Sequence, residues 1–289
     1  MSNRKEGFTL IELSLSIVFI ALLSLSIVVT ILNTVSAYRR GLTLNQINTV
    51  GMAVVDDMRA AVQNSSTRSL VNECSMVYTD NTMRTNCINS GAANFVSVKR
   101  TATVKIGNKE EKNVPVFGAF CTGSYSYIWN SGYFWAEGAT VQNANKAYVA
   151  YNQNGVVKTR TDFRLLKIRD DSRYVCELAF KSNYNYNFNG FSGGFNISSM
   201  TIAGDPVELL ENKEGNDMAI YDLSATAPAV SVNEDNMFYF VSFILGTTRG
   251  GANIKANGKS CAAPEDSGLE DFDYCAINKF NFAAQANGG

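Results

Sequence analysis

The chain has 289 residues, with 25 basic against 26 acidic side chains, a net charge of −1 and no histidine. A balance this close to neutral provides no global field for nucleic acid or an anionic lipid surface. Without histidine the commonest general base and metal ligand is gone, which disfavours Ser-His, Cys-His and most zinc chemistry. No spacing points to a serine–lysine or carboxylate enzyme, so no enzymatic activity is expected.

Residues 1–7 are polar, with Arg4 and Lys5 partly offset by Glu6, and read as a leader. From Phe8 to Val35 run 28 residues of mainly Leu, Ile, Val, Ser and Ala, among which Glu12 is the single charge. At ~1.5 Å per residue a helix over 8–35 spans roughly 40 Å, enough to cross a bilayer. A secretory signal peptide has a shorter apolar core ending in a small-residue cleavage site, a pattern not met here. A carboxylate inside a membrane-length helix costs several kcal/mol and is rarely kept without a partner, which makes Glu12 the first candidate functional residue. Basic residues stand at both ends of the run, Arg4/Lys5 before it and Arg39/Arg40 after it. Keeping the leader inside gives a single pass with the rest of the chain exported.

The pattern then changes without a break. Val35, Tyr38, Leu42, Ile47, Val50, Val54, Met58 and Ala61 recur mostly three or four apart, the face of an amphipathic helix over 36–64. The simplest structure is one helix from about Thr9 to Val62, stopped by Asn64-Ser65-Ser66.

Residues 65–289 form the globular part. Strand-like runs rich in β-branched and aromatic residues occur at Phe95–Lys99, Ala102–Ile106, Val114–Phe120, Ser126–Trp129, Lys146–Tyr151, Phe163–Ile168, Tyr174–Lys181, Met218–Tyr221, Phe238–Ile244 and Ala276–Phe282. Gly107-Asn108 reads as a turn, and Asn154-Gly155 as a hairpin turn between Tyr148–Asn152 and Val156–Lys158. With no βαβ alternation the sheet should be largely antiparallel. The expected class is α+β: a long N-terminal helix, membrane-spanning then amphipathic, packed on an antiparallel β-sheet domain with disulfides. Asn183–Asn196 is rich in Asn, Gly and aromatics; a recognition surface competes there with a self-burying hairpin. Trp129 and Trp135 read as core residues, and Asp170-Asp171 as a turn with local charge pairs. Gly193-Gly194 and Gly250-Gly251 lack the context of a phosphate loop.

All six cysteines, Cys74, Cys87, Cys121, Cys176, Cys261 and Cys275, follow the apolar segment, and an even count in an exported region reads as disulfides. Local separations favour Cys74–Cys87 and Cys261–Cys275, leaving Cys121–Cys176 as the long-range bridge. Reduced core thiols are the competing reading, and no CxxC pair points to metal. Between Cys261 and Cys275, Glu265, Asp266, Glu270, Asp271 and Asp273 form an oxygen-rich cluster of the kind Ca²⁺ prefers. Their spacing matches no EF-hand, and a solvated acidic loop is the simpler reading, so no cofactor is expected.

Gly7-Phe8-Thr9-Leu10-Ile11-Glu12, leading into the apolar run, resembles the type III signal of type IV pilins and pseudopilins. The resemblance covers roughly the first 60 residues, and Val54-Val55-Asp56-Asp57-Met58-Arg59 loosely resembles larger minor pilins and pseudopilins. It implies cleavage after Gly7 by prepilin peptidase and N-methylation of the new terminus, Phe8, with Thr9 matching the residue that often follows. It implies that Glu12 docks against the terminal amine of a neighbouring subunit. The implied partners are other pilin subunits, prepilin peptidase, the pilus assembly platform and, before assembly, the cytoplasmic membrane; no specific nucleic acid is among them. The implied location is the cytoplasmic membrane and then a cell-surface pilus. Major pilins commonly carry a proline or glycine in the apolar half and are smaller. This chain has neither residue type between 8 and 40, so it leans toward a large minor pilin. The alternatives are a pseudopilin of a type II secretion or competence system, and a membrane-anchored binding or adhesin domain outside any filament. Some pseudopilins bind calcium near the carboxyl terminus, which the acidic cluster would parallel.

Overall fold

The computed structural model describes residues 9–65, 80–82, 84–85, 97–136, 138–171, 174–181, 193–202, 204–210, 217–226, 236–248, 254–255, 258–261 and 275–287. Helix α1 runs unbroken over Leu10–Gln63, 54 residues or about 80 Å. Thr9 is its N-cap and Asn64 its C-cap, within a residue or two of the expected ends. Its first half is uncovered, and its buried residues are Thr43, Ile47, Gly51, Val54, Val55, Met58, Ala61 and Val62. The apolar stripe therefore docks over a shorter length than its periodicity implies. Val35, Tyr38 and Leu42 lie on the same pattern yet stand 41, 67 and 51 % exposed, because the helix projects beyond the domain there.

Twelve strands follow among the described residues. A six-stranded sheet has the order β4-β1-β2-β3-β7-β9, built from β1 (Ser97–Ile106), β2 (Lys109–Cys121), β3 (Tyr125–Asn130), β4 (Ala139–Gln142), β7 (Leu165–Arg169) and β9 (Val207–Glu208). A second sheet has the order β10-β11-β12: Met218–Thr226, Asn236–Thr247 and Ile277–Asn287. The third, β6-β5-β8, comprises Val156–Arg160, Tyr148–Gln153 and Gly194–Thr201. Gly107, at φ 56°, and Asn108 turn β1 into β2. Asn154 and Gly155, both with positive φ, close the β5–β6 hairpin in the conformation that Asn-Gly favours. The expected strands at 95–99 and 102–106 are joined in β1, which absorbs their polar junction as register shifts at Arg100/Thr101 and Ala102/Val104.

Strand pairing is antiparallel except between β5 and β8. A parallel pair needs a long connection, and here β6, β7 and helix α2 (Tyr174–Lys181) fill it. Residues 174–181 read as a strand from their Tyr, Val, Cys and Phe, but they form α2. A short apolar run does not distinguish the two states by composition; the Asp170 carboxylate decides, accepting the N–H groups of Tyr174 at 2.9 Å and Val175 at 3.0 Å. Asp170 is buried and also accepts the Ser126 hydroxyl at 2.7 Å. Of the expected local charge pairs, Arg169–Asp171 is formed at 3.2 Å, and Arg173 lies outside the described residues.

The six-stranded sheet is covered on both faces, so β2 and β3 read as apolar runs rather than alternating strands. One face carries Phe117, Ile128 and Leu166 into a core shared with Val149, Phe195, Ile197 and Val175. The other carries Phe120, Tyr127, Trp129 and Leu165 into a core shared with α1 and the β10–β12 sheet. Trp135, expected inside, instead lies half-buried at the rim beneath Lys146, whose Nζ is 4.4 Å from its ring centre. Its indole N–H donates to Asp162, whose carboxyl is held below its ordinary range by a hydrogen bond from Lys146.

Two disulfides brace the domain. Cys121–Cys176 ties the end of β2 to α2 across 55 residues and Cys261–Cys275 closes a separation of 14, as the spacings indicated. Closing the longer loop is worth about 4 kcal/mol in the chain-entropy account. Cys74 and Cys87 lie outside the described residues.

Helix and sheet come into close approach at Gly51. A Cβ there would stand 2.1 Å from Cζ of Phe280, a ring itself stacked on Phe243 at 5.1 Å between centres. Gly51→Ala improves helix propensity by up to about 1 kcal/mol, yet we expect a net loss of about 1–3 kcal/mol from overpacking. Chemical denaturation of the full chain measures it. The Gly51→Ala/Phe280→Leu pair should lose less than the sum of its single changes; strict additivity would exclude the contact as the cause.

Candidate functional site

The uncovered half of α1 is the most unusual surface of the molecule. Leu10, Ile11, Leu13, Leu15, Ile17, Val18, and their successors as far as Leu32 are each at least half exposed. An 18-residue window within the helix reaches a mean hydropathy of 2.8 with none of it buried. Five of its hydroxyl groups are drawn away from the apolar surface by bonding back to helix carbonyls. Ser14 donates to Ile11 O, Ser16 to Glu12 O, Ser26 to Leu23 O, Thr30 to Ser26 O and Thr34 to Thr30 O, all between 2.7 and 3.0 Å. With the helical backbone and these hydroxyls satisfied internally, the segment suits a bilayer or a bundle of like helices. It is long and apolar enough for single-pass membrane anchoring.

Glu12 occupies the first turn. Its carboxylate Oε2 accepts the Thr9 N–H at 3.0 Å and the Thr9 hydroxyl at 2.9 Å, while its own N–H donates to Thr9 Oγ1 at 3.3 Å. This reciprocal capping box satisfies two helix-end donors and holds the charge at the positive end of the helix dipole. The second oxygen, Oε1, makes no hydrogen bond among the described residues. Gly7 and Phe8 lie outside the described residues, as do the acidic positions Glu265, Asp266, Glu270, Asp271 and Asp273 and residues 183–192 of the aromatic–asparagine segment. Among the described residues no group of three or more His, Cys, Asp or Glu side chains could hold a metal ion.

A polar latch, not foreseen from sequence, fixes the other end of α1 to the domain. Asp57 Oδ1 pairs with Lys167 of β7 at 2.7 Å, and Asp57 Oδ2 accepts the hydroxyl of the buried Tyr127 on β3 at 2.9 Å. Lys167 lies over the Tyr125 ring at 4.4 Å, and burial first, then Asp57, pushes the Tyr127 phenol far up. Asp57 sits beside Met58 at the margin of the stripe, a placement that in sequence does not distinguish a latch from a solvated acid. On the far edge, Glu208 of β9 accepts N–H groups from Arg164 at 3.1 Å and Leu165 at 2.8 Å. Burial raises its carboxyl against the lowering effect of these donors and of Arg160.

Comparison with protein-family models, with curated proteins and with solved structures yields no match to this chain.

Removing the Asp57 carboxylate leaves Tyr127 and Lys167 short of a partner. Asp57→Ala is expected to cost about 1.5–3 kcal/mol, and Asp57→Asn, which retains an acceptor for Tyr127, less; denaturation midpoints report both. Glu208 provides a pH test. With its folded value raised, the folded state binds more protons than the unfolded one between the ordinary glutamate range and that raised value. Its contribution is therefore full below the ordinary range and falls as pH rises. The melting-temperature difference between wild type and Glu208→Gln should shift against wild type on going from about pH 4 to about pH 7. A pH-independent difference would contradict this.

Proposed function

We propose that the chain is the precursor of a type IV pilin-like subunit, of the large minor-pilin kind, whose activity is assembly. The observation that carries this reading is the conjunction at the amino end: the exposed, membrane-length apolar half of α1 bears one carboxylate, Glu12, in its first turn, directly after Gly7-Phe8-Thr9. The disulfide-braced domain adds support, since Cys121–Cys176 and Cys261–Cys275 suit an oxidising compartment outside the cytoplasm.

In this reading prepilin peptidase cuts after Gly7 and Phe8 becomes the N-methylated terminus. The helix first anchors the protein in the cytoplasmic membrane with the domain outside. The assembly platform then moves it into a bundle, where the apolar surface of residues 8–35 exchanges lipid for neighbouring helices. Lipid is as apolar as leucine, so packing and buried polar pairs supply the gain. Glu12 meets the amine of a neighbouring subunit through an oxygen that its capping box with Thr9 leaves open, and that pairing offsets the burial of both charges and sets axial register.

Mass spectrometry of sheared filaments should find the chain beginning at N-methylated Phe8. Glu12→Ala should lower filament incorporation at least about tenfold while leaving membrane insertion intact. Unchanged incorporation of Glu12→Ala would overturn the assembly reading, as would a mature chain that keeps residues 1–7.

A further inference from the structure

We propose that the outer face of the β10–β11–β12 sheet is a binding site for a neutral carbohydrate, with Phe240 as its aromatic wall and Ser224, Thr226, Ser242 and Asn281 as its hydrogen-bonding floor. Residues along these strands alternate between two faces. Leu223, Ala225, Tyr239, Val241, Phe243, Phe280 and Phe282 turn inward to the core shared with α1. The opposite face meets the other core at Ile244 and is open beyond it, where Phe240 and Phe238, two residues apart on the central strand, stand 52 and 44 % exposed.

Register determines what surrounds the rings. Ser224, Ser242 and Asn281 align across the three strands in one row, and Thr226, Phe240 and Ala283 in the next. The small residues leave a step beside the Phe240 ring, a cleft of about 380 Å³ lined by Ser224, Thr226, Phe240, Ser242 and Asn281 together with Val241 and Phe282. That volume suits a small-molecule ligand of one or two sugar rings. None of the four polar side chains in it hydrogen-bonds another described residue of the chain. They contrast with the hydroxyls of α1, which are committed to carbonyls.

The chemistry of the lining selects the ligand. A hexose has a face of C–H groups that lies against an aromatic ring, and a rim of uncharged hydroxyls that both donate and accept. Serine, threonine and asparagine supply the same mixture of neutral donors and acceptors. Among the described residues no ionisable side chain lines the cleft, so a phosphate, carboxylate or cation finds no counter-charge there. In the neighbouring row Asp222 is occupied by Lys99 at 2.8 Å, and Lys279 is exposed across Ile244. A protein partner's interface core favours aromatic residues, Met and Arg and is depleted in Ser and Ala, whereas this face sets its two phenyl rings among Ser, Thr, Asn and Ala. The site is on the face turned away from α1, and the proposal does not rest on the assembly reading.

Saturation-transfer NMR on the full chain tests it, in micelles of a detergent without a sugar headgroup, with maltose, cellobiose, lactose and chitobiose as probes. At least one should bind saturably in the millimolar range, with transfer strongest to the C–H protons of one sugar face. Phe240→Ala should weaken binding about tenfold or more and Asn281→Ala severalfold, while Phe240→Trp retains it. Both positions are exposed, so the melting temperature should not change. Absence of binding by all four sugars, or binding indifferent to Phe240→Ala, would overturn the proposal. So would self-association that Phe240→Ala abolishes, which would assign the face to a second copy of the chain.

Discussion

The docking of residues 43–62 of α1 into the angle between two sheets is the contact on which the rest of the molecule depends. Ile47, Val54, Met58 and Val62 enter one core with Phe120, Tyr127 and Trp129 from the large sheet and Tyr239, Phe243 and Phe280 from the smaller one. Burying side chains of this size is worth about 1.5–3 kcal/mol each before conformational entropy is subtracted. The same contact orients the exposed half of the helix, because α1 passes from apolar anchor to docked strut without a break. A glycine makes the approach close enough: with any side chain at 51 the Phe280 ring would have to move.

Polar groups then define what the packing alone leaves loose. Hydrophobic burial is non-directional, so a stripe of Ile, Val and Met tolerates small rotations and shifts along its groove. Asp57, bonded to both Lys167 and Tyr127, does not. Asp170 plays a comparable part across the sheet, joining Ser126 of β3 to the start of α2. At the free end of α1 the Thr9–Glu12 box organises the first turn. Asp57 and Asp170 are carboxylates satisfied by several donors, the condition under which such a group adds specificity rather than cost.

Legibility in the sequence followed the range of the interaction. The ends of α1 were readable because capping chemistry is local: Thr9 precedes Glu12 by three residues, and Asn64 follows the last apolar position. The Asn154-Gly155 hairpin was readable for the same reason, and so were the two disulfides, once export was inferred. Residues 174–181 were misread because the side chain that makes them helical, Asp170, precedes them and their own composition suits a strand. Trp135 reads as a core residue in sequence, yet it lies at the rim because Lys146 and Asp162 hold it there. Val35, Tyr38 and Leu42 continue a periodic stripe past the point where there is anything to pack against.

The sequence by itself determined the continuous helix, the uncharged stretch with its single acid, the α+β class and a mostly antiparallel domain. Helical and strand periodicity, caps and turns operate over a few residues, and a membrane-length apolar run is a property of composition. Only the tertiary structure decided how far the stripe is buried, that Gly51 meets Phe280, that Asp57 latches α1 to β3 and β7, and that β5 pairs in parallel with β8. It also decided which face of the β10–β12 sheet stays open, leaving Phe238 and Phe240 in water while Tyr239 and Phe243 are covered. Period-two alternation shows that a strand has two faces. Which of them is buried depends on where α1 lies, and residues far apart in the chain settle that through a shared core.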